Sequence, residues 1–321
     1  MILVVSHADD EHTIAVVDRL RSAGREVALL DLSRFPAHGG LELGYRPDGA
    51  PTYAIDTDIG RVDATRCHVG WWRRVRPWTI DRLVRADHER AFAASETDQA
   101  IGGFLDALPC TWVNDPRRDE AAHRKPLQWA TAHQVGLAVP RTLVTNDPSA
   151  ARRFVQEHPA VVCKAFLASA TAWRATRFVA DGDRKRLDAV RFAPVIFQEY
   201  VPGVDLRVTI VGDRLFAAEI DASRTRYPVD MRIVLGEAQV RAVELPAPVE
   251  RGLLALMARL GLRYGAADLR RDAASRTSTR RRAPSIASAS GGTTARPATV
   301  ITPVPERLRG RGPRAGRRRP R

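Results

Sequence analysis

VIFQEYVPGVDLRVTIVGDRLFAAEID, residues 195 to 221, is the stretch whose reading decides the fold. An apolar strand, Val195 to Phe197, passes through Gln198, Glu199 and Tyr200 to a Pro-Gly turn at Pro202 and Gly203. Two further strand-like runs, Leu206 to Val211 and Leu215 to Ile220, flank Gly212 and Asp213. Two turn residues between alternating apolar runs predict a hairpin. Period-two geometry then sets Asp205, Arg207 and Thr209 on one face and Leu206, Val208 and Ile210 on the other. One face carries charge and the other packs. Taken alone, the pattern also fits a surface hairpin with a solvated charged face.

The order of these residues resembles the nucleotide-binding hinge and following hairpin of ATP-grasp ligases. The resemblance implies Glu199 and Tyr200 at adenine, Asp205 at the ribose and Arg207 near phosphate. Upstream, Val161 to Phe166 makes an apolar strand with Lys164 inside it, and an anion nearby is the natural reason for a lysine there. The chain has only three lysines, Lys125, Lys164 and Lys185. Two of them, Lys125 and Lys164, fall where ATP-grasp enzymes place phosphate-binding lysines. Lys125 is expected on a helix whose first turn accommodates Pro126.

At the N-terminus, Met1 to Val5 reads as a strand, Asp9 to Ala23 as a helix ended by Gly24, and Glu26 to Leu32 as a second strand. That β-α-β order argues for a parallel sheet. SHADDEHT stands where a glycine-rich phosphate loop would be, so no dinucleotide site is expected there. Residues 38 to 63 are turn-rich with brief strands, Cys67 to Trp72 is a strand, Asp87 to Leu108 a helix, and Thr111 to Val113 a strand before Asn114-Asp115-Pro116.

Two segments narrow the resemblance. LDLSRFP (Leu30 to Pro36) and Trp71, Trp72, Arg73, Arg74 are similar to the ligases of the microviridin and related graspetide pathways, which cross-link side chains of ribosomally made peptides. Paired arginines beside tryptophans suit bidentate capture of a peptide carboxylate, and they equally suit stacking on their own aromatics. Asp230-Met231-Arg232 resembles the D-W-R of the same ligases, which makes Arg232 a candidate ligand of phosphate or acyl phosphate. After an apolar helix, Val249 to Leu260, stopped by Gly261, the strand Leu262 to Arg270 is similar to the one whose aspartate binds Mg2+; here that is Asp268.

The resemblance stops near residue 271. Its Glu-x-Asn strand, which completes the magnesium ligands, has no counterpart in RDAASRTSTRRRAPSIASASGGTTARPATV, and one aspartate alone is a poor site for a hard cation. From 272 onward the apolar residues beyond alanine are Ile286, Val300, Ile301, Val304 and Leu308, too few to offset the entropy of ordering that length. A disordered tail is expected, either genuine or the product of a frame change near codon 271, which the abruptness of the shift favours. The tail also explains the charge. Thirteen of its residues are arginine against two acids, so it carries +11 of the net +14 and leaves a nearly neutral body.

That distribution confines nucleic-acid binding by counterion release to the tail. Cys67, Cys110 and Cys163 are far apart in sequence and indicate neither a zinc site nor a disulfide framework. No signal-peptide core and no membrane-length apolar run is present, so a cytoplasmic protein with no membrane contact is expected.

The fold expectation is thus α/β: an ATP-grasp fold over 116 to 271, preceded by a Rossmann-like pre-ATP-grasp domain over 1 to 115 and followed by the tail, 272 to 321. The resemblance implies an ATP- and Mg2+-dependent carboxylate ligase acting on a precursor peptide with a leader segment, with a homodimer among the assemblies it allows. Lys125, Lys164 and Arg207 would neutralise phosphate, Arg232 would stabilise the acyl phosphate and Asp268 would hold metal. The alternative is a nucleotide- or leader-peptide-binding protein impaired in catalysis by the missing Glu-x-Asn.

Overall fold

Short apolar runs separated by capped helices build the N-terminal third. β1 (Ile2–Val5) and β2 (Val27–Leu30) pair in parallel across α1 (Glu11–Ser22), whose N-cap Asp10 accepts from the Thr13 N–H. Gly24, just past the helix, takes the left-handed φ of 71° that only glycine adopts without cost. β6 (Val69–Trp72) and β7 (Thr111–Val113) complete a four-stranded parallel sheet in the order β2-β1-β6-β7, with α2 (Asp87–Ala107) as the last crossover. The turn-rich segment forms a small antiparallel sheet of β3 (Leu41–Gly44), β4 (Thr52–Thr57) and β5 (Gly60–Asp63). Tyr53 and Ile55 of β4 join Leu3, Leu30, Phe35 and Phe104 in one core.

This computed structural model describes residues 1–166, 176–223, 225 and 236–272, and the backbone of 285–291. After α3 (Pro116–Ala122) and α4 (Lys125–Gln134), β8 (Thr142–Thr145), α5 (Pro148–Glu157), β9 (Val161–Lys164), β10 (Arg177–Phe178), a short α6 (Asp181–Arg184) and β11 (Val195–Glu199) follow. Their four strands form an antiparallel sheet in the order β10-β9-β11-β8. The next five, β12 (Gly203–Val211), β13 (Arg214–Asp221), β14 (Gln239–Val243), β15 (Tyr264–Asp272) and β16 (Ser285–Gly291), form another in the order β14-β13-β12-β15-β16. α7 (Ala247–Leu260) lies between β14 and β15 in sequence.

β12 and β13 are the hairpin expected around Gly212 and Asp213, with Arg207 opposite Ala218 on one side and Asp268 on the other. Leu206, Val208 and Ile210 pack with Leu253, Leu256 and Met257 of α7 and with Ala267 and Leu269 of β15. Burying each large aliphatic side chain contributes about 2 kcal/mol. Gly203 opens β12 so close to the Arg271 carbonyl that a Cβ would overlap it, which is why glycine follows Pro202.

The tail was expected to be disordered and to lack the apolar Glu-x-Asn strand; its described residues hold one short strand, β16, of sequence SIASASG, which pairs antiparallel with β15, Asp268 standing opposite Ser288. The open edge of β15 presents unpaired N–H and C=O groups, and backbone pairing satisfies them whatever the side chains. Residues 273–284 and 292–321 lie outside the described residues. Among the described residues no helix is long and apolar enough to cross a membrane.

Candidate functional site

The charged face of the five-stranded sheet gathers the candidate residues. Arg207 donates from Nη1 to the Asp268 carboxylate at 2.7 Å, and both residues are 8% exposed. Two positions along, Arg270 donates from Nη1 to Asp205 at 2.7 Å, from Nη2 to the Tyr200 hydroxyl at 2.9 Å and from Nε to the Val201 carbonyl at 2.6 Å. Its guanidinium also lies 5.1 Å from the Tyr200 ring centroid, within cation–π range. Arg270 thereby ties the 199–203 hinge to β12 and β15, and brings Tyr200, Asp205 and Asp268 to one region.

Glu199 ends β11 opposite Val161, its N–H donating to the Arg141 carbonyl at 2.9 Å, while the Tyr200 ring meets Phe178 edge-on at 4.8 Å. Lys164 ends β9 and donates from Nζ to Gln198 Oε1 at 2.6 Å; the Gln198 amide in turn donates to Thr142 at 2.8 Å. Gln198 is itself buried, so the lysine's position is fixed by a side chain that cannot swing away. Lys125 opens α4 with Pro126 in the first turn, as the sequence predicts. Burial lowers the pKa of nearby His123, and the Lys125 charge adds to that. Arg232 lies outside the described residues.

Arg73 and Arg74 prove to have a partner within the chain. Arg73 Nε and Arg74 Nη1 converge on the two carboxylate oxygens of Asp10, at 2.7 and 2.9 Å, and the Arg73 guanidinium sits 5.5 Å from the Trp71 ring. Of the two readings open from sequence, stacking on their own aromatics holds for Arg73. Burial pushes the Asp10 carboxyl up, but hydrogen bonds from Arg73 and Thr13 with the charges of Arg73 and Arg74 outweigh it and hold the group well below the usual carboxylate range.

Asn114, at the end of β7, is 1% exposed and uses both ends of its amide. Oδ1 accepts from the N–H groups of Arg263 and Tyr264 at 2.8 and 2.9 Å; Nδ2 donates to the Tyr264 carbonyl at 2.8 Å and to Asp119 Oδ1 at 3.0 Å. Asp119 is fully buried, its Oδ2 has no hydrogen-bond partner, and burial raises its pKa to about 8.

Among the described residues no three His, Cys, Asp or Glu side chains cluster as a metal site. Asp268 supplies one hard oxygen donor, so any Mg2+ there would have to be held mainly by phosphate oxygens and water rather than by a protein cage. Sequence reasoning missed Arg270 and Gln198. Arg270 was legible in principle, two residues from Asp268 and so on the same face. Gln198 was not, because β9 and β11 pair across 34 residues.

Residues 1–120 match the family model of the MvdD pre-ATP-grasp domain. No curated protein matches the chain. Among solved structures, the RiPP-associated ATP-grasp ligase of Chryseobacterium gregarium in complex with ADP and a leader and core peptide has the same fold: TM-score 0.80 at 23% identity over 91% of this chain and 89% of that one. The macrocyclase MdnC of Microcystis aeruginosa, bound with its precursor peptide MdnA, is 27% identical with TM-score 0.74, over 85% of this chain and 88% of its own. The ATP-grasp ligase PsnB, complexed with a minimal precursor, is 27% identical with TM-score 0.70, over 91% and 90%. The expected α/β architecture, an ATP-grasp fold behind a pre-ATP-grasp domain, is therefore present: the first 120 residues match the MvdD pre-ATP-grasp domain, and the chain as a whole is similar to ATP-grasp ligases that act on ribosomally made peptides.

Proposed function

We propose that the chain uses ATP and Mg2+ to activate a carboxylate side chain of a ribosomally made precursor peptide and joins it to an amine or hydroxyl of the same peptide. The carboxylate oxygen attacks the γ-phosphorus and ADP leaves. The amine or hydroxyl then attacks the acyl carbon, loses its proton and expels phosphate, leaving an amide or ester cross-link. Reactions of this kind are accelerated mainly by positioning and by fixed charge near the phosphoryl group. Lys125, Lys164 and Arg207 are assigned to phosphate, Arg232 to the acyl phosphate, Glu199 and Tyr200 to adenine, Asp205 to the ribose and Asp268 to the metal.

The observation that carries this reading is the pairing of Arg207 with Asp268 on the charged face, joined through Arg270 to Tyr200 and Asp205. It supports the reading because Asp268, assigned to the metal, Arg207, assigned to phosphate, and Tyr200, assigned to adenine, are linked through one set of side-chain contacts. PsnB has been solved with a minimal precursor, Mg and ADP, and MdnC with its precursor peptide MdnA, which supports the same substrates here. The test is incubation with ATP, Mg2+ and candidate precursor peptides, MdnA first, followed by mass spectrometry. Release of ADP matched by a peptide lighter by one water supports the ligase. Binding of MgADP with no peptide product supports the second reading, a nucleotide- or leader-binding protein, which the single carboxylate at the metal position favours.

A further inference from the structure

β15 carries Asp268, but its first residues are held from outside its own sheet. Asn114, which ends a strand of the N-terminal parallel sheet, brackets the start of β15 through the Arg263 N–H, the Tyr264 N–H and the Tyr264 carbonyl. A second tie comes from the end of β6. Arg73 donates from Nη1 to the Tyr264 hydroxyl at 3.1 Å while its Nε is fixed on Asp10, and its guanidinium lies 6.0 Å from the Tyr264 ring. Asp10 is itself held as the N-cap of α1 and takes Arg74 as well, so Arg73 cannot move with Tyr264 without losing its ion pair to a fixed carboxylate.

Tyr264 and Asp268 share a face of β15, because side chains alternate along a strand. Four residues of extended backbone separate them, roughly 13 Å at ~3.3 Å per residue. A hydrogen-bonded strand paired on both sides is a stiff connector, unlike a loop. The distance between the Asp10–Arg73–Arg74 cluster and the Asp268–Arg207 pair is therefore set by Asn114 and Tyr264.

We propose that Asn114 and Tyr264 are positioning residues that lock the pre-ATP-grasp domain onto the strand bearing Asp268, so that the two move as one body when nucleotide binds. What is being positioned rests on the function proposed above; the lock itself does not.

Hydrogen exchange on the full chain tests both parts, comparing the native protein with Tyr264→Phe and Asn114→Ala. Without ligand, Tyr264→Phe loses one charge-assisted hydrogen bond, so amide exchange in β1 and β6 should rise about tenfold. Asn114→Ala should raise it further. With MgADP, protection in the native protein should reach β1 and β6 as well as β11, β12 and β15; in both variants it should persist in the latter three and disappear from the former two. Unchanged ligand-free exchange of β1 and β6 in Tyr264→Phe, or MgADP protection that still reaches them in the variants, overturns the lock. Tyr264→Phe keeps the ring and decides the matter if Asn114→Ala does not fold. If MgADP protects nothing in the native protein, the nucleotide reading fails and the ligand-free comparison alone decides the lock.

Discussion

Arg207 and Asp268 stand directly opposite one another on antiparallel strands, and their side chains meet at 2.7 Å on a face where both are nearly buried. Removing either partner takes a close opposite charge from a nearly buried group. Arg207→Ala should therefore cost about 3 kcal/mol of stability in urea unfolding, whereas Asp268→Asn, which keeps an acceptor for the arginine, should cost less. On the function proposed here the order reverses for metal: Asp268→Asn should abolish the Mg2+ dependence of ADP binding. Equal Mg2+ dependence in Asp268→Asn and the native protein would remove Asp268 from the metal.

Lys164 is held by Gln198, itself anchored on Thr142. Lys164→Ala should weaken ADP binding at least tenfold by calorimetry, which corresponds to about 1.4 kcal/mol. Gln198→Leu should weaken it less, since the charge remains but its aim is lost. An unaltered affinity in Lys164→Ala would take the lysine out of the phosphate site.

Asp119 gives a pH signature. Its carboxyl loses a proton near pH 3.8 when unfolded but keeps it to about 8 when folded. Between those values the folded chain binds more protons, so stability falls as pH rises through that window, by a contribution on the order of 5 kcal/mol. Melting temperatures of Asp119→Asn should decline less between pH 5 and pH 8 than those of the native protein. Parallel declines would show that Asp119 is ionised at neutral pH.

Much of the arrangement around Arg207 and Asp268 was legible because it is local. The hairpin at 203 to 221, the helix ended by Gly261 and the Asp268 strand each announce themselves by period and turn residues, and all three lie where the sequence puts them. The contacts of Arg73 and Asn114 were not legible. Arg73 meets Tyr264 across 191 residues and Asn114 meets it across 150, and no local period encodes such a meeting. Of the two readings the motif allowed, a substrate carboxylate or stacking on their own aromatics, neither named Asp10, the carboxylate that both arginines meet.

β16 bears on the basic tail. It pairs beside Asp268, where the resemblance leads one to expect a Glu-x-Asn strand, yet its sequence is SIASASG. Resequencing codons 260 to 321 from source DNA should reveal an apolar strand with Glu-x-Asn in another frame. If the present frame stands, peptide ligation should be weak or absent while nucleotide binding persists.

Asp10 caps a helix, neutralises Arg73 and fixes Arg74, all with one carboxylate that is 1% exposed. Loss of either arginine leaves a buried charge short of a partner, and loss of the aspartate leaves two cations facing each other. A change at any one of these three positions is therefore expected to require compensation at the other two. Among descendants of this chain they should be inherited as a block, and a lineage that has lost one of them should be found to have rebuilt the other two.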